Sequence, residues 1–177
     1  MEVTAGFCIL WALMLLVLPV DVLVAAAGAA AFHELCHALA VRLTGGRILG
    51  LTLGAGGLTM EVLPMAPGRE LLCALAGPAG SLVLALMPVP KLALCALIQG
   101  LFNLLPLSGL DGARALECVL ELTVPAHGAR ILKTMEWLTL GALLGLILCL
   151  DPGAGALGAW TVLAVRKFPC KQGIYFI

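Results

Sequence analysis

The chain has 177 residues, of which 62% are hydrophobic and only 11% are charged. Soluble proteins are about 45–50% apolar, and a single core of this length cannot bury so much apolar surface. The composition therefore excludes a disordered chain and predicts a protein whose main partner is the lipid bilayer. Ten Lys and Arg balance ten Asp and Glu, so no basic excess is present to bind phosphates, and nucleic acid is excluded as a partner.

The first half of the chain predicts two helices followed by a hairpin. Apolar segments cover residues 5–20 and 22–43, and no Lys or Arg precedes the first one, which opposes a cleaved signal sequence. We therefore expect Met1 onward in the mature protein. Residues 47–62 alternate Leu, Thr and Val with Gly, a pattern that favours a short β-hairpin with its bend at Gly56 and Gly57.

The second half predicts four more apolar spans and one amphipathic helix. The expected spans are residues 71–87, 92–105, 137–150 and 155–165, the amphipathic helix is 113–124, and residues 125–133 are expected to form a connection. The predicted fold class is an all-α polytopic membrane protein with about six transmembrane helices and a short membrane-associated β-hairpin between the second and third. Residues 1–177 are expected to form a single intramembrane domain with no appended soluble domain.

The basic residues predict an orientation in the membrane. With six spans and both termini in the cytoplasm, Lys91 is the one basic residue outside, and the other nine Lys and Arg lie inside. Cytoplasmic loops carry such an excess of positive charge. We therefore expect an integral, multi-pass protein of a cytoplasmic membrane with both termini on the cytoplasmic side.

A metal-binding motif lies within the second apolar segment. The residues His33-Glu34-Leu35-Cys36-His37 form an H-E-x-x-H sequence. Residues four apart lie on one face of a helix, so both imidazoles can bind one metal ion while Glu34 acts on a bound water. Two histidines and a glutamate in a span are costly unless they serve a function. The motif predicts one Zn²⁺ per chain, bound by His33 and His37, with Glu34 as the catalytic residue.

Hydrolytic zinc needs a third protein ligand, and Asp111 is the preferred candidate. Asp111 lies in a stretch from Asn103 to Gly112 in which Pro106, Gly109 and Gly112 interrupt the helix, so that irregular backbone can line a cavity. The other acids and the third histidine fit less well: Glu61 and Glu70 are expected near the membrane surface, Asp21 at a helix junction on the opposite side, Glu117 and Glu121 on a solvated face, and His127 in a loop.

These motifs resemble the site-2 protease family of intramembrane zinc metalloproteases. The resemblance covers F-H-E-L-C-H-A from Phe32, the N-x-x-P and L-D-G block from Asn103, the hairpin glycines, and Ala76-Gly77-Pro78 in the third span. The chain looks most like the compact branch of the stage IV sporulation protease FB, and this resemblance implies a bacterial cytoplasmic membrane. Cys36, where the family usually has Gly, and Ser81, where Asn is common, depart from the pattern, but no ligand is missing.

The resemblance implies an activity and roles for particular residues. His33, His37 and Asp111 would bind zinc, Glu34 would be the catalytic acid/base, and Asn103 would help to position the substrate. The hairpin with Gly56 and Gly57 would offer an edge strand to a membrane-embedded or membrane-tethered protein substrate, which in the sporulation branch is a transcription-factor precursor. A regulatory membrane partner is a further expectation from this resemblance.

Two other functions are compatible with the same ligands. One is a non-proteolytic membrane protein that binds metal, although such a site has no need of a carboxylate at Glu34. The other is a small transporter, although transporters commonly contain paired repeats and no repeat is evident in this sequence. Replacing Glu34 by Gln separates a protease from a binding protein, and metal flux into liposomes tests transport.

Overall fold

The computed structural model describes residues 2–54, 57–150 and 175–176. Within these residues the chain is mainly helical, with helices α1 to α6 and a small sheet of strands β1 to β4. The helices are α1 Ala5–Val17, α2 Val20–Leu43, α3 Pro67–Leu84, α4 Pro90–Asn103, α5 Asp111–Thr123 and α6 Gly128–Leu150. The strands are β1 Glu2–Val3, β2 Ile48–Gly54, β3 Gly57–Val62 and β4 Tyr175–Phe176.

Prolines define several helix starts. Pro67 and Pro90 occupy the first turns of α3 and α4, where the missing amide hydrogen costs no helical hydrogen bond, and Pro19 caps the start of α2. Among the described residues, the predicted apolar segments and the amphipathic segment are confirmed as helices, with one correction. Residues 125–133 were expected to form a connection, but α6 begins at Gly128, since the charges of Arg130 and Lys133 do not interrupt a run of good helix formers.

The predicted hairpin is confirmed, but the sheet is larger than predicted. Strands β2 and β3 pair antiparallel, with Gly54 opposite Gly57, and Gly57 has a φ of +113° that suits glycine. Gly56 lies outside the described residues. β1 adds to β2 in parallel, and β4 adds to β3 antiparallel, so that the strand order is β1-β2-β3-β4.

Helix α3 is the centre of the helical packing. It contacts α2, α4 and α5, while α2 also contacts α4, and α6 packs on α5. The inner face of β3 joins this core through Met60 and Val62, which are fully buried against Val41 of α2 and Cys73 of α3. The hairpin is thus attached next to the helix that carries the H-E-x-x-H motif.

The outer surface of the helices is strongly apolar. Side chains such as Leu16, Val17 and Leu86 are 80–84% exposed, which is unfavourable in water and favourable in lipid. Two helices, α2 and the α6 segment Gly128–Cys149, are long and apolar enough to cross a membrane, and Ala5–Val17 is a shorter apolar helix. These features indicate an integral membrane protein. The predicted span at residues 155–165 lies outside the described residues.

Candidate metal centre

Two imidazoles of α2 meet at one point inside the helical core. His33 and His37 are 2% and 1% exposed, and their Nε2 atoms lie 3.1 Å apart. The four-residue spacing places both rings on the same face of the helix, where they pack edge to face. The sequence prediction that these two side chains converge is confirmed.

Asp111 brings a carboxylate to the same point from another helix. Its Oδ2 atom lies 3.0 Å from Nε2 of His33 and 3.2 Å from Nε2 of His37. Asp111 is the first residue of α5, and its neighbour Gly112 packs so closely on the end of α4 that an added Cβ would lie 2.2 Å from the carbonyl oxygen of Leu104. The break in helical structure before Asp111 therefore depends on small residues, as expected for this stretch.

The outer nitrogens of both imidazoles are held by α3. His37 Nδ1 donates a hydrogen bond of 2.8 Å to the backbone carbonyl of Cys73, and His33 Nδ1 lies 2.8 Å from the hydroxyl of Ser81. A carbonyl oxygen only accepts, so the neutral His37 ring carries its proton on Nδ1 and presents a lone pair at Nε2. The Ser81 oxygen can accept from His33 in the same way. Both rings thus have the contacts that orient metal-binding histidines.

The three inner atoms suit a small divalent cation. Two imidazole nitrogens and a carboxylate oxygen with mutual distances of 3.0, 3.1 and 3.2 Å compare well with the edge of about 3.3 Å in a tetrahedron around zinc with bonds of 2.0–2.1 Å. Three electron-pair donors that face one another repel unless a cation or a proton lies between them. His33, His37 and Asp111 therefore form a group of the kind that holds a metal ion.

Glu34 supplies an unpaired carboxylate oxygen beside this group. Its Oε2 atom is buried and has no hydrogen-bond partner within the described residues. A buried acceptor without a partner costs about 1–3 kcal/mol, and such a cost is expected where a substrate or a reacting water will bind. Glu34 interacts electrostatically with both His37 and Asp111, so its carboxylate lies close to the convergent ligand atoms.

Asn103 also reaches the group, whereas the hairpin glycine does not. Asn103 is the last residue of α4, and its Nδ2 atom lies 3.4 Å from Nε2 of His33. Gly57 begins β3, is exposed, and has no atom within 4 Å of a Cβ built on it. His127, the alternative histidine, is exposed in the turn between α5 and α6. Glu70, which was expected near the membrane surface, is buried within the protein, with 4% exposure.

Helix α3 contributes contacts that sequence reasoning did not assign to the site. A Cβ added at Gly77 would lie 2.1 Å from Nε2 of His37 and 2.7 Å from Nε2 of His33, and one added at Gly80 would collide with the sulfur of Cys36. The small residues of this stretch predict close packing against another helix. The structure shows that this helix is α2, whose two histidines lie against Gly77. The roles of Ser81 and of the Cys73 carbonyl have no signal in the sequence, because both depend on the helix pairing.

The hydrogen bond between Ser81 and His33 leads to a testable prediction. We expect Ser81→Ala to weaken Zn²⁺ binding by about 10- to 100-fold, as is usual when an outer partner of a ligating histidine is lost. Competition with a chromophoric chelator on the purified protein measures the change. Ser108→Ala is the matched control, since Ser108 is exposed and only its backbone amide, which donates to Glu136, forms a hydrogen bond among the described residues. Equal affinity of Ser81→Ala and wild type would contradict the role of this hydrogen bond.

A solved structure has a similar fold. The chain matches no family model and no curated protein. Among solved structures it is similar to the site-2 protease from Methanocaldococcus jannaschii, with a TM-score of 0.62 and 20% sequence identity over 93% of this chain and 88% of that chain. The similarity covers nearly the whole of both chains, so the two proteins share their overall architecture.

Proposed function

We propose that the chain is an intramembrane zinc metalloendopeptidase of the site-2 protease family. The observation that carries the proposal is the meeting of His33, His37 and Asp111 beside the unpaired carboxylate oxygen of Glu34. A site that only binds metal has no need of a buried carboxylate without a partner. The similarity of the fold to a site-2 protease supports the same function.

In the proposed site, His33, His37 and Asp111 hold one Zn²⁺ per chain. Zinc, when bound, lowers the pKa of a coordinated water to about 7 and polarises a peptide carbonyl. The Cys73 carbonyl keeps the proton of His37 on Nδ1, and the Ser81 hydroxyl orients His33, so both rings offer Nε2 to the metal. Helix α3 therefore orients the ligands before substrate arrives.

Glu34 performs the proton transfers of the proposed hydrolysis. Its buried Oε2 atom accepts a proton from the attacking water and then passes that proton to the leaving amine. Asn103, beside His33, is in a position to donate a hydrogen bond to the substrate carbonyl. Glu34 and Asn103 are partly buried among the helices, which limits the access of bulk water to the reacting bond.

The proposed orientation places water entry on the cytoplasmic side. The multi-pass topology with both termini in the cytoplasm rests on the distribution of Lys and Arg. In that topology His33 precedes the cytoplasmic end of α2 at Leu43 by ten residues, which corresponds to about 15 Å along the helix. Water thus crosses about half the thickness of the bilayer core to reach the site.

The proposed substrate is a membrane-embedded or membrane-tethered protein that binds as an extended strand. A helix hides its carbonyls in hydrogen bonds, so the scissile segment has to unwind, and pairing with a sheet edge stabilises the unwound backbone. The chain's own β4 covers the edge of β3 at Glu61 and Val62. The segment of β3 from Gly57 to Met60 has no outer strand among the described residues and is the proposed docking edge. The sporulation substrate and a regulatory partner stay predictions from the sequence.

Metal-dependent cleavage in a bilayer tests the proposal. We expect the wild-type protein, reconstituted in liposomes with a single-span protein substrate, to cleave that substrate. Cleavage is expected to stop after treatment with a zinc chelator and to resume when Zn²⁺ is added back. Mg²⁺, which prefers six oxygen ligands, is the matched control and is expected not to restore cleavage. Cleavage that persists after complete removal of metal would contradict the proposed function.

A further inference from the structure

A largely buried ion pair joins α3 to the helix that carries Asp111. Glu70 in the first turn of α3 is 4% exposed, and Arg114 of α5 donates to its Oε1 atom from Nε at 2.7 Å and also from Nη2. The same guanidinium donates from Nη1 to Oε2 of the exposed Glu117 at 2.6 Å. Two donors of one planar group on a single carboxylate oxygen define the direction of contact between the helices.

Glu70 lies on the same face of α3 as the contacts to the other two ligands. Glu70, Cys73, Gly77 and Ser81 are spaced three, four and four residues apart, which is one stripe of an α-helix. Along this stripe the Cys73 carbonyl binds His37, and the Ser81 hydroxyl binds His33. Arg114 follows Asp111 by three residues, one turn into α5. This face of α3 thus contacts His37 and His33 directly. It is connected to Asp111 through the ion pair between Glu70 and Arg114.

The position of Asp111 at the start of α5 depends on contacts with other helices more than the positions of the two histidines do. His33 and His37 belong to a helix of 24 residues, whereas Asp111 follows the irregular segment between Asn103 and Leu110 and begins a helix of 13 residues. A buried ion pair is often no more stabilising than apolar residues of similar size, and its best-attested use is to specify one arrangement among several. Here the arrangement specified is the register of α5 against α3.

We propose that Glu70 and Arg114 are positioning residues, which hold Asp111 in register with His33 and His37 for metal binding. The inference rests on the proposed function, since it takes these three side chains as zinc ligands. It predicts that loss of the ion pair lowers metal affinity even where the protein stays folded.

Metal affinity of the purified full chain in detergent tests the inference. We expect Glu70→Gln and Arg114→Gln each to weaken Zn²⁺ binding about tenfold or more, as for other groups that orient ligands. Arg114→Lys, which keeps the charge without the two-donor geometry, is expected to lie between Arg114→Gln and wild type. The visible absorption of bound Co²⁺ is expected to change in the same variants, because it reports ligand number and geometry. Glu117→Gln, which removes the exposed contact of the same guanidinium, is the matched control and is expected to bind both ions as wild type does.

A double variant separates positioning from stability. Glu70→Leu/Arg114→Met replaces the pair by apolar residues of similar size, which is commonly neutral or stabilising for folding. We expect its thermal unfolding without metal to match wild type while its Zn²⁺ affinity stays about tenfold lower. If affinity returns together with stability, the pair is structural only and the inference is wrong.

The outcomes distinguish this inference from the proposed function. If wild type binds Zn²⁺ and the folded variants bind it equally well, the inference is wrong and the proposed function stands. If wild type binds no Zn²⁺, the proposed function is wrong and this inference fails with it. Weakened binding in the double variant, with Glu117→Gln unchanged, supports the positioning role.

Discussion

Glu34→Gln is expected to abolish substrate cleavage while the protein keeps its zinc. Gln has nearly the same shape as Glu but cannot accept and return a proton, and general acid–base catalysis contributes about 10²- to 10⁴-fold to a rate. Because the buried Oε2 atom of Glu34 has no partner among the described residues, the substitution breaks no hydrogen bond of that atom, and little change in folding is expected. Cleavage of a single-span substrate in liposomes, with metal analysis of the same sample, measures both properties.

An exposed glutamate provides the control for this experiment. Glu121 lies on the outer face of α5, and Glu121→Gln is expected to cleave and to bind zinc as wild type does. A Glu34→Gln protein that cleaves within a few-fold of the wild-type rate would contradict the role of Glu34. Such a result would assign the proton transfers to a group other than Glu34.

Asp111→Ala is expected to lose zinc and cleavage together. The substitution removes the carboxylate oxygen that lies 3.0 and 3.2 Å from the two imidazoles and leaves two protein ligands where hydrolytic zinc sites have three. We expect a loss of Zn²⁺ affinity larger than the 10- to 100-fold that is typical for an outer-shell partner. Competition with a chelator of known affinity measures it.

His127→Ala separates the two candidates for a third ligand. His127 is exposed in the turn between α5 and α6, and its removal is expected to leave zinc affinity and cleavage unchanged. Circular dichroism of both variants checks that Asp111→Ala retains its helices. Zinc retained by Asp111→Ala and lost by His127→Ala would contradict the site described here.

The parts of the site that follow from local geometry were predictable from the sequence. The convergence of His33 and His37 depends only on the helical repeat, and the hairpin depends on alternation and glycines close to one another in the chain. Asp111 lies 78 residues after His33. It could be predicted as the third ligand because few other acids or histidines were expected to lie deep in the bilayer, and because the surrounding motif resembles that of a known family. The structure then brings its carboxylate to the imidazoles.

The remaining features depend on which helices pack together. Ser81 and the Cys73 carbonyl contact the histidines only because α3 lies against α2, and no residue pattern reports that pairing. Glutamate is usually a surface residue, but Glu70 can be buried because Arg114 of α5 pairs with its carboxylate. The strands β1 and β4 have two residues each, too few to produce an alternating pattern. Tertiary contacts, rather than propensity, determine these features.

The zinc content of the purified wild-type protein tests the central claim most directly. Elemental analysis of the protein in detergent, beside His37→Ala and His127→Ala prepared in the same way, is predicted to give one zinc per chain for wild type and His127→Ala and much less for His37→Ala. His37 is fully buried between Asp111 and the Cys73 carbonyl, so its loss removes the centre of the group. Wild-type protein without zinc, or zinc that persists in His37→Ala, would contradict the assignment of this site.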